Sequence, residues 1–149
     1  MLRAALRATP RLVAALLPLL LLFARLPLAA QDADAQKKFV GTWEAKYKDR
    51  VICTIRVKAG DPITGETADC SINADENGDL REPDSSSIDR PDSPSPMVNP
   101  RIHGDTLSFE EKEDDEVVKF EMKVVGDGQA ELTILDAPVT IKPIHFARK

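Results

Sequence analysis

The sequence predicts an all-β domain, an antiparallel meander of about eight strands behind an apolar N-terminal segment. Three observations carry that prediction. From Phe39 onward, apolar and polar residues alternate with period two over most of the chain, as in strands with one buried and one solvated face. Clusters of Gly, Asp, Asn and Pro interrupt the alternation at short intervals, as hairpin turns do. After Ala30, no stretch has the 3.6-residue period of a helix beyond two turns. Strands joined in sequence by short turns either stack as two sheets or close into an up-and-down barrel.

The first 30 residues read as a helical signal peptide. Arg3, Arg7 and Arg11 precede a run rich in Leu and Ala from Leu12 to Ala24, interrupted by Pro18 and closed by Arg25. Ala29-Ala30 then offers a small-residue cleavage site before Gln31. The 13-residue run is too short to span a bilayer as a helix, which needs ~20 residues. The alternative is an uncleaved anchor lying in the membrane interface. No cysteine sits at the end of the signal segment, so no lipid anchor and no stable membrane attachment is expected after cleavage. The mature domain is expected to be exported, to a periplasm or to the extracellular medium.

Four of the 20 basic residues, Arg3, Arg7, Arg11 and Arg25, lie in that segment and none of the 25 acidic ones does. The remainder carries 16 basic and 25 acidic residues, a formal net charge of −9. Such a surface excludes a nucleic-acid partner, whose phosphates demand a basic footprint. Cys53 and Cys70 are the only cysteines, and an even count in an exported chain predicts one disulfide. Two buried free thiols are the alternative. No clustered His accompanies them, so no metal site is expected there.

The elements follow in order. Gln31 to Lys38 is a polar lead-in with a short helical turn. The first strand, Phe39 to Tyr47, turns Phe39, Gly41, Trp43, Ala45 and Tyr47 to one face. Lys48-Asp49-Arg50 is a turn. The second strand, Val51 to Lys58, turns Val51, Cys53, Ile55 and Val57 inward. Ala59-Gly60-Asp61-Pro62 turns the chain, and Ile63 to Asn73 returns as a third strand. A hairpin centred between Asp61 and Pro62 sets Val51 opposite Ile72, Cys53 opposite Cys70, Ile55 opposite Ala68 and Val57 opposite Glu66. The apolar and cysteine registers agree, and directly opposed positions are close enough to bridge.

Residues 74–96 are rich in Asp, Ser and Pro, with Leu80 and Ile88 the only large aliphatics. They predict a long surface loop, with a short edge strand near Leu80. Asp75, Asn77 and Asp79 are spaced like the opening of a calcium loop. The glycine falls at 78, between two would-be ligands, and Ser85 stands where a bidentate Glu is needed, so a solvated Asn-Gly turn is expected instead.

Alternation resumes at Met97. Gly104-Asp105 suits the centre of a type II′ hairpin turn between Ile102 and Leu107. A hairpin centred near Asp114 pairs Phe109 with Phe120 and Leu107 with Met122, and one centred on Asp127 pairs Met122 with Leu132 and Phe120 with Ile134. The last strand is predicted from Val139 to about Arg148, with Pro143 at an edge or bulge.

Phe-Val-Gly-Thr-Trp at 39–43, opening the first strand after a polar lead-in, resembles the calycin superfamily of lipocalins and avidin-like proteins. Ile63-Thr64-Gly65 is similar to the avidin-like pattern. The resemblance extends to small exported bacterial domains of unassigned function that share Gly104-Asp105-Thr106-Leu107-Ser108-Phe109 and a terminal Pro143-Ile144, Phe146 and Arg148-Lys149. It covers both ends and the 104–109 hairpin but not the 74–100 loop. It implies that the meander closes into a small barrel. It also implies that Trp43 plugs one end, with a basic side chain of the last strand, Arg148 or Lys149, across the indole. Family ligand residues do not carry over: one Trp and one Tyr are too few for a biotin cage.

No nucleophile elbow is present, and Ser85-Ser86-Ser87 lies in a polar loop, so no catalytic residue, no cofactor and no enzyme is expected. His103 and His145 read as surface or packing residues. The acidic run from Glu110 to Glu116 reads as a solvated hairpin tip. Glu66 and Glu111 fall on the predicted apolar face, where a carboxylate needs a basic partner or an open rim. With Tyr47, they are the candidate ligand contacts. The expected function is a packed, non-enzymatic interaction or binding module whose partner is an unknown protein or a small apolar ligand. The alternative is a carrier of a small apolar or amphipathic ligand in the barrel mouth.

Overall fold

Period-two alternation becomes a single antiparallel sheet that curls on itself. The computed structural model describes residues 28–83, 94–113 and 115–149, with side chains from Ala33 onward apart from residue 113. Of the first 30 residues only the last three are among the described residues, and Ser85, Ser86, Ser87 and Ile88 lie outside them. A helix α1 (Leu28–Lys37) replaces the expected short turn and is followed by β1 (Gly41–Tyr47), β2 (Arg50–Lys58) and β3 (Thr64–Ala68). Then come β4 (Ser95–Pro96), β5 (Val98–His103), β6 (Thr106–Glu113), β7 (Glu116–Gly126), β8 (Gln129–Leu135) and β9 (Ile144–Arg148).

The strand order is β4-β3-β2-β1-β9-β8-β7-β6-β5, with every neighbouring pair antiparallel. The two outermost elements, β4 and β5, are separated only by Met97. One extended segment therefore pairs first with β3 and then with β6, and the sheet forms a nearly closed barrel. Counted as one strand, that segment gives the expected eight. At the seam the Met97 N–H donates to the Gly65 carbonyl at 2.9 Å. Only glycine permits this approach: a Cβ at Gly65 would sit 2.5 Å from Met97 Sδ and 2.8 Å from the Arg56 carbonyl oxygen.

The hairpins from β5 to β8 form in the predicted registers. His103 pairs with Thr106 across Gly104-Asp105, and Gly104 has φ +62°. Phe109 pairs with Phe120, Leu107 with Met122, Met122 with Leu132 and Phe120 with Ile134. Their inward faces meet Phe39, Trp43 and Ile55 in a core where Trp43, Leu107 and Met122 are fully buried. Each such large apolar side chain contributes roughly 1.5–3 kcal/mol by leaving water.

Three expectations need correction. The β2–β3 register is one residue away from the predicted one, with Ile55 opposite Thr67 and Val57 opposite Gly65. β3 ends at Ala68, and Asp69 takes a left-handed conformation (φ +53°) that advances the chain by the missing residue. Cys70 thereby reaches Cys53, and the disulfide forms as expected. Second, the register shifts between Ala45 and Lys46, leaving Ile52 as the extra residue of a β-bulge. Ile52 is 2% exposed and joins the core, while Val51, predicted to face inward, is 41% exposed. Third, the last strand starts at Ile144, not Val139. The segment between Pro138 and Pro143 leaves the ladder: the Lys142 N–H donates to the Gly78 carbonyl at 3.0 Å, and Val139 stays exposed.

Candidate functional site at the barrel mouth

Strand registers set which side chains gather at each end of the barrel. Trp43 pairs with Arg148, and the Arg148 guanidinium lies 4.5 Å from the centre of the indole. The indole N–H donates to the Phe39 carbonyl at 2.7 Å. Arg148 also donates to the Lys38 carbonyl, and Lys38 bonds the Asp105 carboxylate. That bond, from the Lys38 ammonium, holds the Asp105 carboxyl below its usual range. Lys149 reaches Glu44 at 2.9 Å. Trp43 is thus fully buried, with Arg148 across its indole.

The opposite end retains space. A cavity of about 210 Å³ lies there. Cys53 of β2, Thr67 of β3, and Cys70 and Ile72 just beyond β3 form one side. Glu111 of β6, Val118 and Phe120 of β7, and Leu132 and Ile134 of β8 form the other. The disulfide is thus part of the wall. Phe120 is held by stacking on Phe109, with centroids 5.1 Å apart and planes at 14°. Glu111 lies opposite Val118 and is 6% exposed.

The candidate ligand contacts separate here. Glu111 lines the cavity, as its place in the alternation predicts. Glu66 does not. The corrected register puts it opposite Arg56, where Arg56 Nη1 bonds its carboxylate at 3.0 Å, away from the cavity. Tyr47 lies towards the disulfide end of β1 but is not in the cavity wall, and the Lys48 ammonium sits 5.2 Å from its ring centre. Thr67 and Ile72 were missed as site residues. Thr67 is hidden by the one-residue register error, and Ile72 lies beyond the kink at Asp69.

Beyond β3 the chain is tied down on this side. Asp75 Oδ1 accepts from the backbone N–H of Asn77 at 2.9 Å and of Asp79 at 3.0 Å. The second of these bonds is the main reason the Asp75 carboxyl sits below its ordinary range. Asp79 accepts both of its bonds from Lys142, at 2.7 and 2.8 Å. The calcium-like spacing therefore serves an Asx turn and an ion pair. The strand expected near Leu80 is a single bridge to Ala74. Larger clefts, of about 640 and 610 Å³, lie outside the barrel. His145 lines the first and His103 the second, so the two histidines serve different surfaces.

No protein-family model matches this chain, and neither does any curated protein or any solved structure.

Proposed function

We propose that the chain is an exported, calycin-like barrel that works without catalysis, as a packed binding module with one small pocket at its mouth. The observation that carries this reading is the filling of the barrel. Trp43, Phe39, Ile55, Leu107, Met122, Leu132 and Ile144 occupy the interior, and about 210 Å³ is left at one end. Pockets for drug-sized ligands run ~300–1,000 Å³, so a bulky lipid or a cofactor does not fit inside. The Trp43–Arg148 pair and the consecutive pairing of strands around the ring support the calycin affiliation. A disulfide suits an oxidising compartment and supports export.

The test is native mass spectrometry of the protein from its own host. The expected species begins at or near Gln31, has a closed disulfide and carries nothing heavier than a small fragment. A chain that begins at Met1 overturns export. A tightly retained lipid-sized ligand overturns the packed module.

A further inference from the structure

We propose that the Cys53–Cys70 disulfide is a redox latch on the mouth pocket, opened by a dithiol and closed again by a disulfide oxidant. The inference rests on the reading of this cavity as the binding pocket and adds its regulation. The two cysteines stand in unlike places. Cys53 lies on β2, 1% exposed and part of the core. Cys70 is half-buried, on a stretch from Asp69 to Asn73 that belongs to no strand. That stretch brings Cys70 and Ile72 into the cavity wall. It is fastened to β2 by the disulfide and by the Ser71 N–H, which donates to the Ile52 carbonyl at 2.8 Å. The chain beyond it is anchored elsewhere, through Gly78 and Asp79 to Lys142. Once the covalent tie is cut, the stretch is a short loop between β3 and the Ala74–Leu80 bridge, and one side of the pocket goes with it.

The chemistry is thiol–disulfide exchange, which needs access to one sulfur, and the half-buried Cys70 provides it. A thiolate of the dithiol attacks Cys70 Sγ. The S–S bond breaks, Cys53 leaves as a thiolate and takes up a proton, and Cys70 is held as a mixed disulfide. The second thiolate of the dithiol then attacks the reductant's own sulfur in that bond, closes a cyclic disulfide and releases Cys70, which is protonated in turn. Two electrons pass to the protein and the dithiol is oxidised. Cys53 stays in the core opposite Ala45, where a buried thiol packs as a small hydrophobe. Cys70 moves away with its stretch. The pocket is therefore whole in an oxidising compartment and loses a wall where dithiols act.

The experiment reduces the folded protein with dithiothreitol and titrates the oxidised and reduced forms with benzene. A dry cavity of about 150 Å³ takes benzene, so about 210 Å³ admits it. Benzene binding is followed by the methyl NMR signals of Ile72, Val118 and Ile134, release of the stretch by hydrogen exchange at residues 69–73, and folding by Trp43 emission. The expected result is reduction while Trp43 still emits as a buried indole. Exchange at 69–73 should quicken roughly tenfold more than at Leu107 and Met122, and benzene should bind roughly tenfold more weakly. Reoxidation should reverse both. Replacing both cysteines with Ser should give the reduced behaviour with or without dithiothreitol. If reduction proceeds only as Trp43 becomes exposed, or exchange quickens equally throughout, the disulfide is a structural staple and the latch is overturned. Equal benzene affinity in the two forms also overturns the latch and leaves the pocket standing. Benzene that shifts none of these methyl signals in the oxidised protein overturns the pocket reading itself.

Discussion

At one end of the barrel buried Phe39 and Trp43 fill the lumen, with Arg148 over the indole from outside; at the other, a disulfide and a buried carboxyl side chain border a cavity of about 210 Å³. The first end joins residues from opposite ends of the domain by side-chain stacking and backbone acceptors. The second joins neighbouring strands by a covalent bond and is bordered by a segment fixed through Asp75 and Asp79. Packing closes a lumen where large side chains meet from all sides. Where Cys53, Thr67, Glu111 and Val118 stand among Ile72, Phe120, Leu132 and Ile134, a pocket is left.

The largest expected effect comes from breaking the plug. Trp43→Ala should cost about 3–5 kcal/mol in urea unfolding, because it leaves a cavity among fully buried neighbours and removes the indole bond to Phe39. That is a large part of the stability of a domain this size. Next comes the mouth. Replacing both Cys53 and Cys70 with Ser should cost about 2–3 kcal/mol, given a sequence separation of 17. Hydrogen exchange should quicken in residues 70–83 more than around Trp43. Uniform loosening at both ends would show that the two are not independent.

Arg148→Ala should cost roughly 0.5–2 kcal/mol, the range of a cation over an aromatic face. It should also shift Trp43 emission to the red while leaving the mouth methyl signals in place. The smallest effect is on acid titration. The carboxyls of Asp105 at the plug and Asp75 near the mouth are both held below the ordinary value of 3.8, Asp105 chiefly by Lys38 and Asp75 chiefly by the Asp79 N–H. A carboxyl depressed in the folded state adds stability above its unfolded pKa and loses it as pH falls through the lower folded value. Both ties should therefore persist at neutral pH and release only below pH 3.8, as carboxyl-carbon NMR would record. Asp75 titrating at its ordinary value would mean that the Asx turn does not hold the segment.

Legibility in the sequence followed the same division. The hairpins from β5 to β8 were readable because each turn is short and each inward residue is large, so a slip of one residue would expose an entire row. Trp43 and Arg148 were readable from the resemblance of the two termini. At the mouth the signals conflict. Asp is one of the few non-glycine types that enter the left-handed region, but nothing in the alternation singles out Asp69, whose turn reconciles a shifted register with the cysteine pairing. Glu66 was misplaced for that reason, whereas Glu111, on a strand without such a kink, was placed correctly. The last strand was overextended because Val139 and Ile141 continue the alternation, although the Lys142 N–H of that segment is spent on the Gly78 carbonyl and Pro143 has none to give a ladder.

The pairing of β1 with β9 has a kinetic consequence. These strands are the first and last of the barrel, so their contact has the largest sequence separation of any in the sheet and demands the costliest loop closure. Until residues 144–148 have been synthesised and docked, β1 and β8 each present a bare edge, and the indole of Trp43 lacks its cover. Ring closure is thus a late event that depends on the C-terminal strand. A chain halted a few residues short would hold most of its hairpins and still offer two open edges to its neighbours.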